Sequence, residues 1–223
     1  ANAADLEIAC SSAELLAQLP EGAANCEGYL FPATYRFVEN VPAREVLQVF
    51  IDTFLSRWRG VTVNGRASQI TEHQRVIMAS LVEREAMQDD ERPTVAGVFY
   101  NRLFDETFVP RGLLQTDPSI TYGCRAVPGL ASCGTTPLAD ANPTPIPITR
   151  AMLADVANPY NTYRHRGLPP GPISNPGLPS LRAASAPEEH RFFYFVSDGH
   201  DGHHFSVSLE EHSRHVTRFR EAQ

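Results

Sequence analysis

Apolar positions recur at helical spacing along most of the chain and at strand spacing only near its end. From Pro42 onward, Val46, Val49/Phe50, Thr53/Phe54 and Arg57 repeat three and four apart up to Trp58, which predicts a helix over 42–58. The most informative segment spans 71–87. Its middle, Val76 to Val82, is apolar nearly all the way round, interrupted only by Ser80, so this helix is predicted to be buried on several sides. Val76, Ala79, Ser80 and Glu83 fall on one stripe, and a carboxylate therefore extends a face that is otherwise small and apolar. Pro93 opens a further helix through Val95, Val98/Phe99 and Leu103. Ser11 with Glu14 reads as a capping box for a short helix over 13–19, and Thr149 caps another to about 157.

The intervening stretches read differently. Residues 61–63 form a short strand at best. Residues 110–147 are turn-rich, with Pro110, Pro118, Pro128, Pro137, Pro143, Pro145 and Pro147, and 159–179 is again irregular. The period then changes to two. A strand over 191–196, a turn from Asp198 to Gly202 and a strand over 203–207 precede a last helix with a capping box from Ser208 and Glu211. The fold class is α+β: a helical portion carrying Glu83, a small antiparallel sheet including 192–207, and long proline-rich loops shaping a groove.

Charge narrows the partners. The chain carries 26 acidic residues against 19 basic ones, every one of them Arg, for a formal charge of -7. That disfavours nucleic acid and anionic membrane surfaces, whose affinity comes mainly from basic side chains. The longest apolar runs, 76–82 and 192–196, fall far short of the ~20 residues of a membrane helix. The chain opens Ala1-Asn2-Ala3 with no initiator Met and no signal segment, so the element that targeted or anchored the protein is expected to lie outside this sequence. Cys10/Cys26 and Cys124/Cys133 are spaced too widely for Cys-x-x-Cys motifs. They read as two sequence-local disulfides, with four free buried thiols as the alternative, and lean towards an extracytoplasmic location.

Stock catalytic and nucleotide-binding motifs are missing, and the acidic candidates are Glu83, Glu85, Glu27 and Asp117. A Glu near a helix end beside Arg84 is most often a solvated or ion-paired surface group. The buried stripe behind Glu83 argues otherwise. A carboxyl set in an apolar pocket is a usable general acid near neutrality, because burial disfavours its charged form. Glu85 points about 200° away on a helical wheel and is a poor substitute. Histidines 200, 203, 204, 212 and 215 invite a metal reading, yet a turn rich in Asp, Gly and His is more often a solvated hairpin tip, and neither a metal nor another cofactor is expected.

Several ordered blocks resemble the endolytic murein transglycosylase (YceG-like) family. They are Glu27-Gly28-Tyr29-Leu30-Phe31-Pro32-Ala33-Thr34-Tyr35, Ala79-Ser80-Leu81-Val82-Glu83-Arg84-Glu85, Val95-Ala96-Gly97-Val98-Phe99-Tyr100-Asn101-Arg102-Leu103 and Leu114-Gln115-Thr116-Asp117-Pro118-Ser119-Ile120-Thr121-Tyr122-Gly123. Pro159-Tyr160-Asn161-Thr162-Tyr163, Gly167-Leu168-Pro169-Pro170-Gly171-Pro172-Ile173, Tyr194-Phe195-Val196, His203-x-Phe205 and Glu211-His212 continue the series. The resemblance covers about residue 25 to the C-terminus and implies one catalytic domain over 1–223, with 1–24 a partial lead-in and the family's LysM-like subdomain and membrane helix absent. It implies that Glu83 is the catalytic acid/base, and that Glu27, Tyr29, Gln115, Thr116, Asp117, Asn161, Thr162, Tyr163 and His203 surround the glycan. Taken singly, Asp117 and Asn161 read equally well as turn caps and Tyr163 as core packing.

The activity so implied is endolytic cleavage of peptidoglycan between N-acetylmuramic acid and N-acetylglucosamine, leaving 1,6-anhydromuramoyl ends and terminating nascent strands. The native protein would be a monomer anchored by one helix on the outer face of the cell membrane, close to peptidoglycan synthases. Two departures stand out: the family commonly has Asp where this chain has Ala33, and the 125–147 stretch is longer than usual. Two other readings compete. One is a lysozyme-type hydrolase with Asp117 or Glu27 as second acid, and the other is a non-catalytic glycan-binding module of the wall-synthesis machinery.

Overall fold

The computed structural model describes residues 2–134 and 147–221. In chain order the elements are α1 (Ala3–Ala9), α2 (Ala13–Leu16), α3 (Ala43–Trp58), α4 (Glu72–Glu85), α5 (Arg92–Phe104), α6 (Asp117–Ala126), α7 (Arg150–Ala154), α8 (Leu178–Ser185), β1 (Tyr194–Ser197), β2 (His203–Ser206) and α9 (Leu209–Glu221). Short 3-10 turns occupy Gly65–Gln69 and Ala131–Cys133. The chain is thus α+β, with a two-stranded antiparallel sheet among the described residues. No helix is long and apolar enough to cross a membrane among the residues described. The chain divides into two compact units, Ala1–Gly97 with Gly171–His190 and Val98–Pro170 with Arg191–Gln223.

The first unit is built around α4. Thr71 Oγ1 accepts the Gln74 N–H at 3.2 Å and Gln74 Oε1 accepts the Thr71 N–H at 2.9 Å, a reciprocal cap that fixes where the helix starts. Every residue from Val76 to Val82 is buried, as the all-round apolar pattern predicts. Full burial of each large apolar side chain stabilises by about 1.5–3 kcal/mol, so tertiary packing holds this helix far more than intrinsic propensity does. In α3 the buried stripe is Leu47, Ile51, Phe54 and Trp58, rotated from the predicted face. Val49 is exposed, and Phe50 turns to Tyr35, with ring centroids 4.5 Å apart. The aromatic partner outside the helix, invisible to a periodicity count, accounts for the rotation.

Other expectations in this unit are corrected by local hydrogen bonding. The helix predicted over 13–19 is α2, shorter and capped at Ser12 without a side-chain bond. Glu14 does not serve a box with Ser11 because its carboxylate pairs with Arg44. Residues 61–63 form no strand. Helix α1 was not anticipated; Asn2 and Asp5 form its capping box. Cys10 and Cys26 are bonded, with Cα atoms 5.1 Å apart, and so are Cys124 and Cys133 at 5.5 Å, the two sequence-local pairs.

In the second unit α6 occupies part of the stretch expected to be all turn. Pro118 lies in its first turn, where a missing N–H costs nothing. Ile120, Cys124 and Met152 form a small core against Cys133, Ile148, Leu153 and Tyr163. Pro137, Pro143 and Pro145 lie outside the described residues. The hairpin pairs Tyr194 with Ser206 and Ser197 with His203, and Asp198 Oδ1 accepts the N–H groups of His200 and Gly202 across its turn. Ser208 Oγ accepts the Glu211 N–H at 3.2 Å at the start of α9, while the Glu211 carboxylate accepts the Val207 N–H at 3.0 Å.

Beneath α3 and α4, Tyr29 packs edge-on to Phe54 and shares a 2.6 Å hydrogen bond with His73 Nδ1. Burial, helped by the charge of Glu72, pushes the phenol up, and burial pulls the His73 imidazole down. With the phenol protonated and the ring neutral, O–H donates and Nδ1 accepts. His73 has a folded pKa below its unfolded value of 6.5, so its contribution is complete above that value and is lost as the pH falls through the folded pKa. Chemical denaturation is expected to show lower stability at about pH 5.5 than at about pH 7.5, with the difference reduced in His73→Gln. An unchanged pH dependence in that variant would rule this residue out as the source.

Candidate active site

Glu83 lies in the last turn of α4, one residue beyond the buried run, with its side chain 28% exposed. It does not sit in an apolar pocket. Three donors converge on one of its oxygens, Oε2: the Gly177 N–H at 3.0 Å, the Ser180 hydroxyl at 2.7 Å and Arg92 Nη1 at 3.3 Å. Among the described residues no hydrogen bond is made to Oε1. The apolar stripe ends where the side chain meets polar groups contributed from later in the chain.

A tethered segment brings two of those donors to Glu83. Ser80, one turn before Glu83, accepts the Ile173 N–H on its hydroxyl at 3.0 Å, and its carbonyl accepts the Ser174 hydroxyl at 3.1 Å. Asn175 Oδ1 accepts the N–H groups of Gly28 and Leu30 at 2.8 and 3.1 Å. The chain then enters α8, with Gly177 as N-cap and Ser180 at its third position. Oε2 of Glu83 therefore lies at a helix N-terminus and takes an amide that the helix itself leaves unpaired. Arg92, the first residue of α5, is only 8% exposed. It also donates from Nη1 to Ser180 Oγ at 2.6 Å and from Nε to Asp89 at 2.8 Å.

The other anticipated residues of the first unit are Glu27, half-buried in its turn, and Tyr29, wholly inside. The second unit gathers a separate group. Gln115 holds a left-handed backbone at φ 54°, rare for a residue with a side chain, and its N–H donates to the Thr162 carbonyl at 3.1 Å. Thr116 and Thr162 are buried and bonded to each other, the Thr116 N–H donating to Thr162 Oγ1 at 3.0 Å. Asn161 is buried too. Its amide donates to the Met152 and Asp155 carbonyls at 3.0 and 2.7 Å, closing the end of α7. Exposed Asp117 accepts the Tyr163 hydroxyl at 2.7 Å. The structure thus brings Gln115, Thr116, Asp117, Asn161, Thr162 and Tyr163 together, with the buried members holding backbone and the Asp117–Tyr163 pair at the surface.

His203 stands on the hairpin, edge-on to Phe195 with ring centroids 5.2 Å apart. His212 stacks on Tyr194 and His204 on His215. No group of three metal-ligating side chains occurs among the described residues.

Sequence reasoning missed five residues that organise these groups. Asn175 and Gly177 belong to a stretch read as irregular and Ser180 follows it directly; Pro179 in the first turn of α8 was the available signal. Arg92, one residue before the proline that opens α5, was passed over. Arg102 is the fifth. Its guanidinium donates to the Phe193 carbonyl at 2.7 Å and to the Leu114 carbonyl, and faces the rings of Phe108, Tyr194 and Phe195, so it ties the segment before Gln115 to the hairpin.

Comparison with known proteins bears on what this arrangement does. A sequence profile of the YceG-like family matches residues 2–218. A protein of Bacillus subtilis (strain 168) named endolytic murein transglycosylase is 31% identical over 191 residues, covering 84% of this chain and 46% of its own. A protein of the same name from Streptococcus pneumoniae serotype 2 is 28% identical, covering 85% of this chain and 31% of its own. The chain therefore spans about half or less of the length of these relatives. The crystal structure of a YceG-like protein from Listeria monocytogenes superposes with a TM-score of 0.71 at 29% identity, over 96% of this chain and 67% of that one.

Proposed function

The chain belongs to the YceG-like family, and from that membership we propose that it is a peptidoglycan lytic transglycosylase that cuts glycan strands internally, with Glu83 as its acid and base. The observation that carries the reading is Glu83 itself: a carboxyl at the end of a buried helix, anchored through Oε2, with Oε1 unengaged among the described residues. One oxygen is fixed and the other is available for proton transfer. Protonated Glu83 gives its proton to the oxygen linking N-acetylmuramic acid to N-acetylglucosamine as the C1–O bond breaks, and that bond's electron pair leaves with the oxygen. The muramoyl 6-hydroxyl then closes on C1, and its proton returns to Glu83, which ends as it began.

One carboxyl suffices because the nucleophile belongs to the substrate. An intramolecular hydroxyl held in place acts at effective molarities of about 10^5 M or more, so no activated water is needed. A lysozyme-type hydrolase would need a second carboxyl. Of the two candidates for that role, Asp117 and Glu27, Asp117 already accepts the Tyr163 hydroxyl, which suits a surface polar contact for sugar better than a nucleophile. We read Asp117, Tyr163, Gln115, Glu27 and His203 as glycan contacts, and Tyr29, Thr116, Asn161 and Thr162, all buried, as their supports. On this reading both units belong to one catalytic domain, the longer native protein is anchored at the outer face of the cell membrane, and cleavage near synthases ends nascent strands.

Digestion of purified peptidoglycan followed by mass analysis of the sugar ends tests the reading. Anhydromuramoyl ends, lighter by one water than reducing ends, are expected. Reducing ends would establish hydrolysis instead, and intact glycan with measurable binding would leave a non-catalytic module.

A further inference from the structure

We propose that Arg92 and Ser180 are positioning residues for Glu83: together with the Gly177 amide they clamp Oε2, so that Oε1 alone carries the proton moved in the reaction. This rests on the reading of Glu83 as the acid and base.

The clamp is one-sided, and that asymmetry is its chemical content. A guanidinium paired with a carboxylate for stability commonly engages both oxygens through two parallel N–H bonds. Arg92 instead sends Nε to Asp89 at 2.8 Å and brings only Nη1 to Glu83, on the oxygen that Ser180 and Gly177 already share. A carboxyl oxygen has two lone pairs in plane, and three donors leave none for a proton. Oε2 therefore stays the acceptor whether Glu83 is protonated or ionised, and the carboxyl plane need not turn over between the two proton transfers.

Ser180 links the parts. Its oxygen accepts from Arg92 Nη1 at 2.6 Å while its own proton goes to Glu83 Oε2 at 2.7 Å. Both Ser180 and Arg92 are buried, and the helix that supplies Ser180 also supplies Gly177. Pinning Oε2 from three directions orients Oε1 along one line, whereas a carboxylate held by solvent would sample rotations about its last bond. Small misplacement of a reacting group costs on the order of 100-fold in rate.

The test is the kinetics of Ser180→Ala, Arg92→Gln and Arg92→Lys on purified peptidoglycan, with melting curves and anhydromuramoyl ends as readouts. Ser180→Ala and Arg92→Gln are expected to lower kcat by about 10- to 100-fold, with KM within about twofold of the parent. Arg92→Lys, which keeps a donor and the charge, should recover part of that loss. Should Arg92→Gln fail to fold, Ser180→Ala, which removes one buried oxygen, decides the matter alone. Unchanged kcat in Ser180→Ala, or a rise in KM with kcat intact, overturns the clamp while the parent's anhydromuramoyl products keep the functional reading standing. A parent protein that releases no such ends overturns both.

Discussion

Glu83→Gln is expected to abolish release of anhydromuramoyl ends while leaving the fold intact. The two side chains have the same shape, and the amide oxygen can take the place of Oε2, accepting from Gly177, Ser180 and Arg92 as before. What the amide cannot do is give up a proton to the leaving sugar oxygen or recover one from the 6-hydroxyl. General acid and base assistance is worth about 10^2- to 10^4-fold in each role, and on the proposed mechanism one group serves both, so the loss should exceed about 10^3-fold. Product assay and thermal melting on the same preparation check it. Retained cleavage would remove Glu83 from the chemistry, and a collapsed melting temperature would give it a structural role instead.

Gly28→Ala should damage both stability and activity. Gly28 holds φ at +89°, and a Cβ there would lie 2.5 Å from Cγ and 2.6 Å from Cβ of Pro172. The left-handed backbone costs roughly 1–2 kcal/mol with a side chain, and forced overpacking typically adds about 1–3 kcal/mol, for a total near 2–5 kcal/mol. The displaced residue is not a bystander. Pro172 precedes the segment that Ile173 and Ser174 tie to Ser80, and Asn175 in that segment accepts the N–H of Gly28 itself, so the strain passes towards Gly177 and the clamp on Glu83. Gly129→Ala is the control: φ is +81° there but nothing lies within 4 Å of the added carbon. Denaturation midpoints should separate the two, and a Gly28→Ala protein as stable as the Gly129→Ala one would refute the close-approach argument.

Parts of this architecture were legible in the chain because their causes are local. Helix α4 announces itself by seven consecutive buried positions with a reciprocal cap ahead of them, and Glu83 by continuing the stripe. The hairpin announces itself by a change of period and an Asp-Gly-rich turn, and the disulfides by short separations. Helices α6 and α8 were hidden by their prolines, which sit in the first turn of each and read as breakers when no later apolar stripe is strong. The face of α3 was misjudged because Phe50 has partners, Tyr35 and Phe37, that precede the helix. Apart from Pro179, Gly177 and Ser180 had no local signature. Their significance lies in meeting residue 83, and no spacing rule reaches across 94 and 97 positions.

That separation also orders events in time. A chain made from its N-terminus completes α4, Glu83 included, well before the residues that will hold its carboxyl exist. Only Arg92, nine positions on, is at hand early. Until Gly177 and Ser180 have been synthesised, and the segment before them tied to Ser80, Gly28 and Leu30, the carboxylate lacks those two donors. On the proposed mechanism the chain therefore carries its acid 94 residues before it can aim it, and cleavage must wait until α8 has formed against α4.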